Sequence, residues 1–369
     1  MKRLKAPFPY FGGKGAIAHR VWSMLGDVEN YIEPFCGSAA VLLARPHPPR
    51  VETVNDIDCM IANFWRATQQ APERVAQHCN WPVNEADLHA RHKYLVGVGR
   101  NRATKRIAEF RERMRSDPEF SDAKIAGWWA WGACCWIGGA WCIANQDGKA
   151  GRPGLRPELG KPRGLNQRTP TPAMPRLEGC QGGLGVGVHR KLDMPTAGRP
   201  QLADAYSRGR GVHGHDEAGT CAERLAWLTN WFGQLRDRLR AVRVCCGDWS
   251  RVCSSDSVTV RIGTTGVFLD PPYSAAAGRS THLYASDDLD VAHQVRDWCL
   301  DRGRDCRMRI VLAGYEGEGH EPLEQAGWNV ESWETQGGYA NRNSENVNRK
   351  RERLWSSPAC LSTATLWSP

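Results

Sequence analysis

The sequence has no apolar run long enough to span a membrane, which argues against an integral membrane protein. Its start, Met1 to Lys5, is basic, but the residues that follow are rich in proline and glycine rather than apolar, unlike a secretory signal. We therefore predict a cytoplasmic protein. With 369 residues and 41% hydrophobic content, the chain can bury a large core and has room for a main domain plus a second lobe.

Patterns typical of metal sites and disulfides are also missing. The 14 cysteines form no C-x-x-C motif, and the adjacent pairs Cys134-Cys135 and Cys245-Cys246 lie in apolar runs. A chain of this size does not depend on disulfides for stability. We predict reduced thiols and no metal. The sequence shows neither an internal repeat nor a nuclease motif.

The net charge of +9 is unevenly distributed along the chain. Residues 91–215 contain 22 Lys and Arg against 10 Asp and Glu, so the basic excess belongs to the middle of the sequence. Such an excess favours contact with phosphates, and we predict DNA contacts from Arg100, Arg102, Lys105 and Arg106. For any single one of these residues, a solvated helix face is the alternative.

Two further features distinguish the middle of the chain. In residues 151–220, 14 glycines and 8 prolines predict long loops rather than a packed domain. These loops either order on DNA or form an insertion without a role. Just before them, five tryptophans lie between Trp128 and Trp141. Tryptophans can stack on bases, but five so close together more often form a core, which we favour.

A β-loop-α unit near the N-terminus is typical of nucleotide binding. Tyr31 to Glu33 is predicted as a strand, followed by a loop of small residues and an apolar helix. Gly37 and Ser38 allow a ligand to approach the backbone, and the helix N-terminus offers N–H groups. The three-glycine pattern favoured by pyrophosphate cofactors is missing, which argues against NAD and for a phosphate-free nucleoside.

Acidic residues follow two other predicted strands. The strand Val51 to Val54 leads into Asp56, about 20 residues after the loop, where an acid can hold ribose hydroxyls. The apolar run Gly266 to Leu269 ends in Asp270-Pro271-Pro272-Tyr273. The carboxylate and a proline-side carbonyl can accept both hydrogens of an exocyclic amine, and the tyrosine can stack on a base. A surface turn is the alternative for this tetrad alone.

In this order, these segments resemble the Dam-type DNA N6-adenine methyltransferases, particularly the bacteriophage and prophage members. Two more segments are similar: Phe8 to Lys14, and Gly247-Asp248-Trp249 after the strand-like Val242 to Cys246. The resemblance covers about residues 7–70 and 225–358. Ala39 departs from it, because the family more often has glycine there.

The resemblance implies an enzyme that transfers a methyl group from S-adenosyl-L-methionine to the N6 amine of an adenine flipped out of double-stranded DNA. It implies catalysis by Asp270, Pro271, Pro272 and Tyr273. Lys14 is expected at the methionine carboxylate, and Asp248 and Trp249 at the cofactor's adenine. The implied cofactor-binding residues are Tyr10, Lys14, Glu33, Phe35, Gly37, Ser38, Asp56, Asp248 and Trp249.

Two alternatives to this function stay open at this point. The same fold can act on cytosine N4, or on a protein or RNA amide, because the amine geometry is alike. From another class, the chain can be a non-catalytic DNA-binding protein on a methyltransferase scaffold. We also expect a monomer or weak dimer in the cytoplasm of a bacterial cell or phage-infected host.

The predicted fold class is α/β, a Rossmann-like S-adenosylmethionine-dependent methyltransferase sheet with an inserted basic target-recognition lobe. Helical spacing from Leu225 to Leu239 and from Val291 to Cys299 predicts packing helices, and Arg309 to Tyr315 a further strand. Trp328 to Trp333 and Arg353 to Ser356 are expected to be a closing strand pair. The predicted division is residues 1–75 and 222–358 for catalysis, 76–221 for the lobe and 359–369 for a tail.

Overall fold

The computed structural model describes residues 4–10, 13–97, 102–136, 141–142, 211–213, 220–272, 291–333 and 352–362, with side chains in the third range from residue 105 onward. The strands are β1 Asn30–Glu33, β2 Val51–Asp56, β3 Val242–Cys246, β4 Thr265–Leu269, β5 Met308–Tyr315, β6 Asn329–Ser332 and β7 Glu352–Ser356. The helices are α1 Ala18–Leu25, α2 Ala40–Leu43, α3 Cys59–Gln70, α4 Pro72–Cys79, α5 Glu85–Val96, α6 Arg102–Ser116, α7 Ala123–Cys135, α8 Cys221–Leu239, α9 Val291–Arg302 and α10 Glu321–Gln325.

These strands form one seven-stranded sheet in the order β3-β2-β1-β4-β5-β7-β6. Neighbouring strands from β3 to β5 are parallel, and β7 runs antiparallel to both β5 and β6. A mostly parallel sheet of this kind needs helical crossovers that cover its faces. The predicted Rossmann-like α/β class is confirmed.

Each sheet face is buried against its own layer of helices. Side chains alternate along a strand, so neighbours in register point to the same face. One face contributes the apolar side chains of Tyr31, Val54, Phe268, Val311, Ala313 and Leu354. The other contributes Ile32, Val267, Leu269, Ile310, Leu312 and Trp355.

Two elements differ in length from the sequence prediction. Strand β2 continues through Asn55 and Asp56, because both residues pair with β3 despite their polar side chains. Helix α2 is a single turn, so its dipole is weaker than expected from the apolar run. Pro46 disfavours a helical conformation at the residue before it, which explains the early end.

Helices α4 to α7 lie between α3 and β3 in the sequence, where the lobe is predicted. Trp129 and Trp131 in α7 are buried, so these two tryptophans belong to the core as we expected. Most of residues 151–220 lies outside the described residues, and the division into domains stays a prediction. Within the described ranges, no helix is long and apolar enough to cross a membrane.

A buried charge network fixes α8 to the sheet. Glu52 of β2 is 1% exposed and accepts two hydrogen bonds from the Arg238 guanidinium, at 2.6 and 2.9 Å. Arg45 donates a third to Glu52, at 3.2 Å. Because α8 follows the predicted lobe in the chain, this network joins the segment after the lobe to β2.

We expect Arg238→Ala to lower the free energy of unfolding by about 2–4 kcal/mol, because it leaves the buried Glu52 carboxylate with a single cationic partner. Arg236→Ala, two residues away on α8, is the matched control. Arg236 pairs with Glu73 and Asp237 at the surface, so its loss should change stability by less than about 1 kcal/mol. Denaturant titration of both variants tests this; equal effects would contradict the network's role.

Candidate cofactor and base site

The strand order reverses between β1 and β4. From β1 the chain proceeds to β2 and β3 on one side, then crosses to β4 on the other. In open α/β sheets, ligands bind in the crevice beyond the carboxyl ends of the strands at such a switch point. The predicted loop after β1 and the tetrad after β4 both begin there.

Gly37 is the tightest point of the loop after β1. Its φ is +44°, and an added Cβ would lie 2.4 Å from Cε1 of Tyr10, so only glycine fits beneath that ring. Its carbonyl accepts a hydrogen bond from the Trp65 indole at 2.9 Å. Ala39 also has a positive φ of +48°, at the position where the related sequences more often have glycine.

Asp56 joins this loop to the end of β2. One carboxylate oxygen accepts the Gly37 N–H at 2.9 Å, and the other accepts the Asp58 N–H at 2.9 Å. Burial, together with the charge of Asp58, raises the pKa of Asp56 to about 7. Each carboxylate oxygen keeps a lone pair for a further donor, as a ribose hydroxyl would require.

Glu33 is the last residue of β1 and is 2% exposed. Its Oε2 accepts hydrogen bonds from the Tyr31 hydroxyl at 3.0 Å and from the Leu42 N–H at 3.1 Å. Burial raises the pKa of Glu33 to about 8; the two hydrogen bonds oppose the shift, and the charge of Asp270 adds to it. Glu33 therefore holds the strand, the loop and α2 together.

Lys14 lies against Asp270. Its Nζ is 2.8 Å from Oδ1 of Asp270, and the lysine side chain is 4% exposed. Burial raises the pKa of Asp270, and the charge and hydrogen bond of Lys14 oppose that rise. We had expected Lys14 at the methionine carboxylate, whereas the structure pairs it with the first residue of the tetrad. Pro271 is buried, Pro272 is half-buried, and Tyr273 lies outside the described residues.

Asp248 and Trp249, predicted at the cofactor's adenine, both have partners within the protein. Trp249 is 6% exposed and stacks on Phe35 with ring centroids 6.1 Å apart, so most of its ring is used in packing. Asp248 accepts hydrogen bonds from the Ser250 N–H and hydroxyl. Ile57, which the sequence reasoning missed, is 42% exposed beside Asp56 and offers an apolar surface to a base. Its place between two acids, Asp56 and Asp58, directly after a predicted strand is the sequence signal that could have identified it.

The DNA-contact candidates are only partly described. Arg100 and the side chain of Arg102 lie outside the described residues. Lys105 is exposed and lies 3.7 Å from Glu109, one helical turn away. The Arg106 guanidinium lies 5.4 Å from the ring centroid of Tyr94.

The remaining candidate, Ser38, is 7% exposed, beside Gly37. The crevice thus offers a close backbone approach at Gly37, a carboxylate at Asp56 and an apolar surface at Ile57. These features fit a nucleoside without phosphates. Among the residues that the structure describes, no group of three or more His, Cys, Asp or Glu side chains is arranged to hold a metal.

The sheet order and its acid-lined switch point define a Rossmann-like α/β protein of the methyltransferase type. Residues 10–120 match the family model of the D12 class N6 adenine-specific DNA methyltransferases. The chain therefore carries a domain of this enzyme family, whose activity is methylation of adenine in DNA. The resemblance seen in the sequence is confirmed at the level of the family, which implies S-adenosyl-L-methionine as methyl donor. No curated protein matches the chain.

We expect Gly37→Ala to weaken S-adenosyl-L-methionine binding by about tenfold or more, because the new Cβ must displace the Tyr10 ring at a positive φ. Gly233→Ala on α8 is the matched control, since an added Cβ there meets nothing within 4 Å. Isothermal titration calorimetry gives both dissociation constants. An unchanged constant in a folded Gly37→Ala protein would remove this loop from the cofactor site.

The stability of the fold should fall as pH rises from about 4.5 to about 8, at up to about 1.4 kcal/mol per pH unit from Glu33 alone. The folded chain keeps the Glu33 proton up to its raised pKa of about 8, whereas the unfolded chain loses it near the ordinary glutamate pKa of 4.5. Glu33→Gln has no proton to lose, so its stability relative to wild type should increase with pH across this window. Denaturant titrations from pH 5 to 8 test this. The exposed Glu112→Gln should run parallel to wild type, and parallel curves for Glu33→Gln would contradict the prediction.

Proposed function

We propose that this chain is a site-specific enzyme that methylates the N6 amine of an adenine flipped out of double-stranded DNA, using S-adenosyl-L-methionine. The observation that most supports this is the position of Asp270. It is a half-buried carboxyl directly after β4, paired with Lys14 from the family-matched segment and adjacent to the loop after β1. An acid there can hold an exocyclic amine beside a nucleoside cofactor.

When bound, S-adenosyl-L-methionine supplies an electrophilic methyl group on its sulfonium sulfur. Asp56 would accept hydrogen bonds from its ribose hydroxyls, and Gly37 would allow it close to the backbone. Ile57 would lie against its adenine ring. The remaining residues proposed to shape this side of the crevice are Tyr10, Glu33, Phe35, Ser38, Asp248 and Trp249.

On the base side, Asp270 and the Pro271 carbonyl accept the two hydrogens of the adenine amine. This pulls the nitrogen toward a tetrahedral geometry and frees a lone pair that is otherwise delocalised into the ring. Proline at two consecutive positions removes N–H donors that would repel an amine. Tyr273 supplies the stacking surface that offsets part of the cost of base flipping, a few kcal/mol.

Lys14 is proposed as the counter-ion of Asp270. Burial alone would favour a protonated Asp270, which could accept fewer hydrogen bonds. The nearby ammonium opposes that shift in pKa and favours the ionised form. An ionised Asp270 is the stronger acceptor for the amine and can take up the proton that the methylated nitrogen releases.

DNA contacts are assigned to the basic middle of the chain, including Arg100, Arg102, Lys105 and Arg106. Lys105 and Arg106 present exposed positive charge, which suits phosphate contact. A DNA substrate in a bacterial cell or phage-infected host places the enzyme in the cytoplasm. Phage or prophage origin and a monomeric or weakly dimeric state stay predictions.

Expression in a methylase-deficient bacterium, with long-read sequencing of the host DNA, should reveal N6-methyladenine in one short sequence motif. Asp270→Ala should bind S-adenosyl-L-methionine as wild type does but methylate about 100- to 10,000-fold more slowly, since it removes a positioned acid-base group. Asp256→Ala, an exposed acid away from the crevice, is the control. An active Asp270→Ala would refute the assignment, and cytosine N4 methylation would replace adenine as the target.

A further inference from the structure

Glu352 reaches the same edge of the sheet as Asp270, although it lies at the beginning of its strand. Because β7 is antiparallel to β5, its first residue lies at the carboxyl end of β5, opposite Tyr315. Leu354, two residues on, pairs with Ala313 and faces the core that also contains Phe268. Alternate residues of a strand share a face, so Glu352 lies on the sheet face that carries Lys14 and the loop after β1.

One oxygen of Glu352 is buried and has no partner among the residues that the structure describes. The residue is 9% exposed, and Oε2 makes no hydrogen bond to any of them. Burial raises the pKa of Glu352 to about 7, the charge of Lys14 opposes the shift, and the charge of Asp270 adds to it. Glu352 is therefore within electrostatic reach of the Lys14–Asp270 pair. A buried acceptor without a donor is unfavourable, which makes this oxygen a ready place for one.

The neighbouring polar groups of β5 and β7 already have acidic partners of their own. Glu318 accepts the Tyr315 N–H at 2.8 Å, and Glu316 pairs with Arg353. Oε2 of Glu352, which has no hydrogen-bond partner within the described part of the chain, is open to a cation that arrives from the crevice.

Lys14 and the target amine need the same carboxylate. In the structure the ammonium lies on Oδ1 of Asp270, whose carboxylate the proposed function assigns to the adenine amine. A lysine ammonium is a compact charge on a flexible four-carbon stem and can move between nearby acceptors. Movement of Lys14 toward Glu352 would free Asp270 while the positive charge stays within the crevice.

We propose that Glu352 receives the Lys14 ammonium when the N6 amine of the target adenine binds Asp270. Glu352 is then a positioning residue for the methyl-transfer site, acting on Asp270 through Lys14. The inference rests on the proposed function. It involves no covalent step; one ion pair is exchanged for another.

A double-mutant cycle tests the exchange on a duplex with the methylated motif found by long-read sequencing. In the otherwise wild-type protein, Glu352→Gln should lower the single-turnover rate of methylation about tenfold. In a Lys14→Gln background it should lower that rate less than about twofold, since the two side chains act as a unit. Glu316→Gln, an exposed acid at the same edge, should change neither rate. Equal effects of Glu352→Gln in both backgrounds would overturn the inference.

A binding measurement gives a second readout that needs no turnover and decides the question if Lys14→Gln is inactive. Two duplexes are titrated in the presence of S-adenosylhomocysteine, one with adenine at the target position and one with unsubstituted purine, which lacks the exocyclic amine. Wild type should prefer adenine, because purine has no amine for Asp270, and Glu352→Gln should lose most of that preference. A preference that persists in Glu352→Gln would refute the role of Glu352.

The controls separate this inference from the proposed function. Circular dichroism and the dissociation constant for S-adenosyl-L-methionine test whether Glu352→Gln is folded. If Glu352→Gln does not fold, the measurements are made on Glu352→Asp, which keeps the charge. A wild type without methylation and without a preference for adenine would refute both proposals. An active wild type that needs Asp270 but tolerates Glu352→Gln would refute this one alone.

Discussion

The ion pair between Lys14 and Asp270 is the interaction that connects the two sides of the crevice. It joins a residue near the start of the chain to the end of β4, across the whole inserted segment. Glu33 and Glu352 are within electrostatic reach of Asp270 on the same sheet face, and burial raises the pKa of each. Lys14 opposes the rise in pKa at both Asp270 and Glu352, so its position affects which of these two acids is ionised.

The parallel sheet explains how acids from distant parts of the sequence come together. Parallel strands end at the same edge, so the residue that finishes each strand meets its neighbours there. Asp56 finishes β2, Glu33 finishes β1, and Asp270 follows β4. The hydrogen bonds between Glu52 and Arg238 hold α8 against β2. The inserted helices can therefore vary without moving the acids at the edge.

Local sequence patterns predicted the central strands β4 and β5 well because both are largely apolar runs. The pattern failed where the buried residues of a strand are polar. Asn55 and Asp56 belong to β2, but residues of these types are more common in loops. Partners across the fold had no local signal either. Nothing near Lys14 indicates Asp270 as its neighbour, and the carboxyl of Glu352 differs from that of Glu316 only in which way it faces. Register and burial settle such differences, and both depend on the completed sheet.

The strand order also has a consequence for biosynthesis. Strand β7 follows β6 in the chain and is therefore synthesised after both β5 and β6, yet it lies between them in the sheet. Until it arrives, the hydrogen-bonding groups of both neighbours are open to other chains. The strands that carry the proposed nucleoside site can thus pair before β7, whereas the proposed base side is complete only when β7 inserts. A premature stop ahead of that strand would leave β5 with an exposed edge and the proposed base side without Glu352.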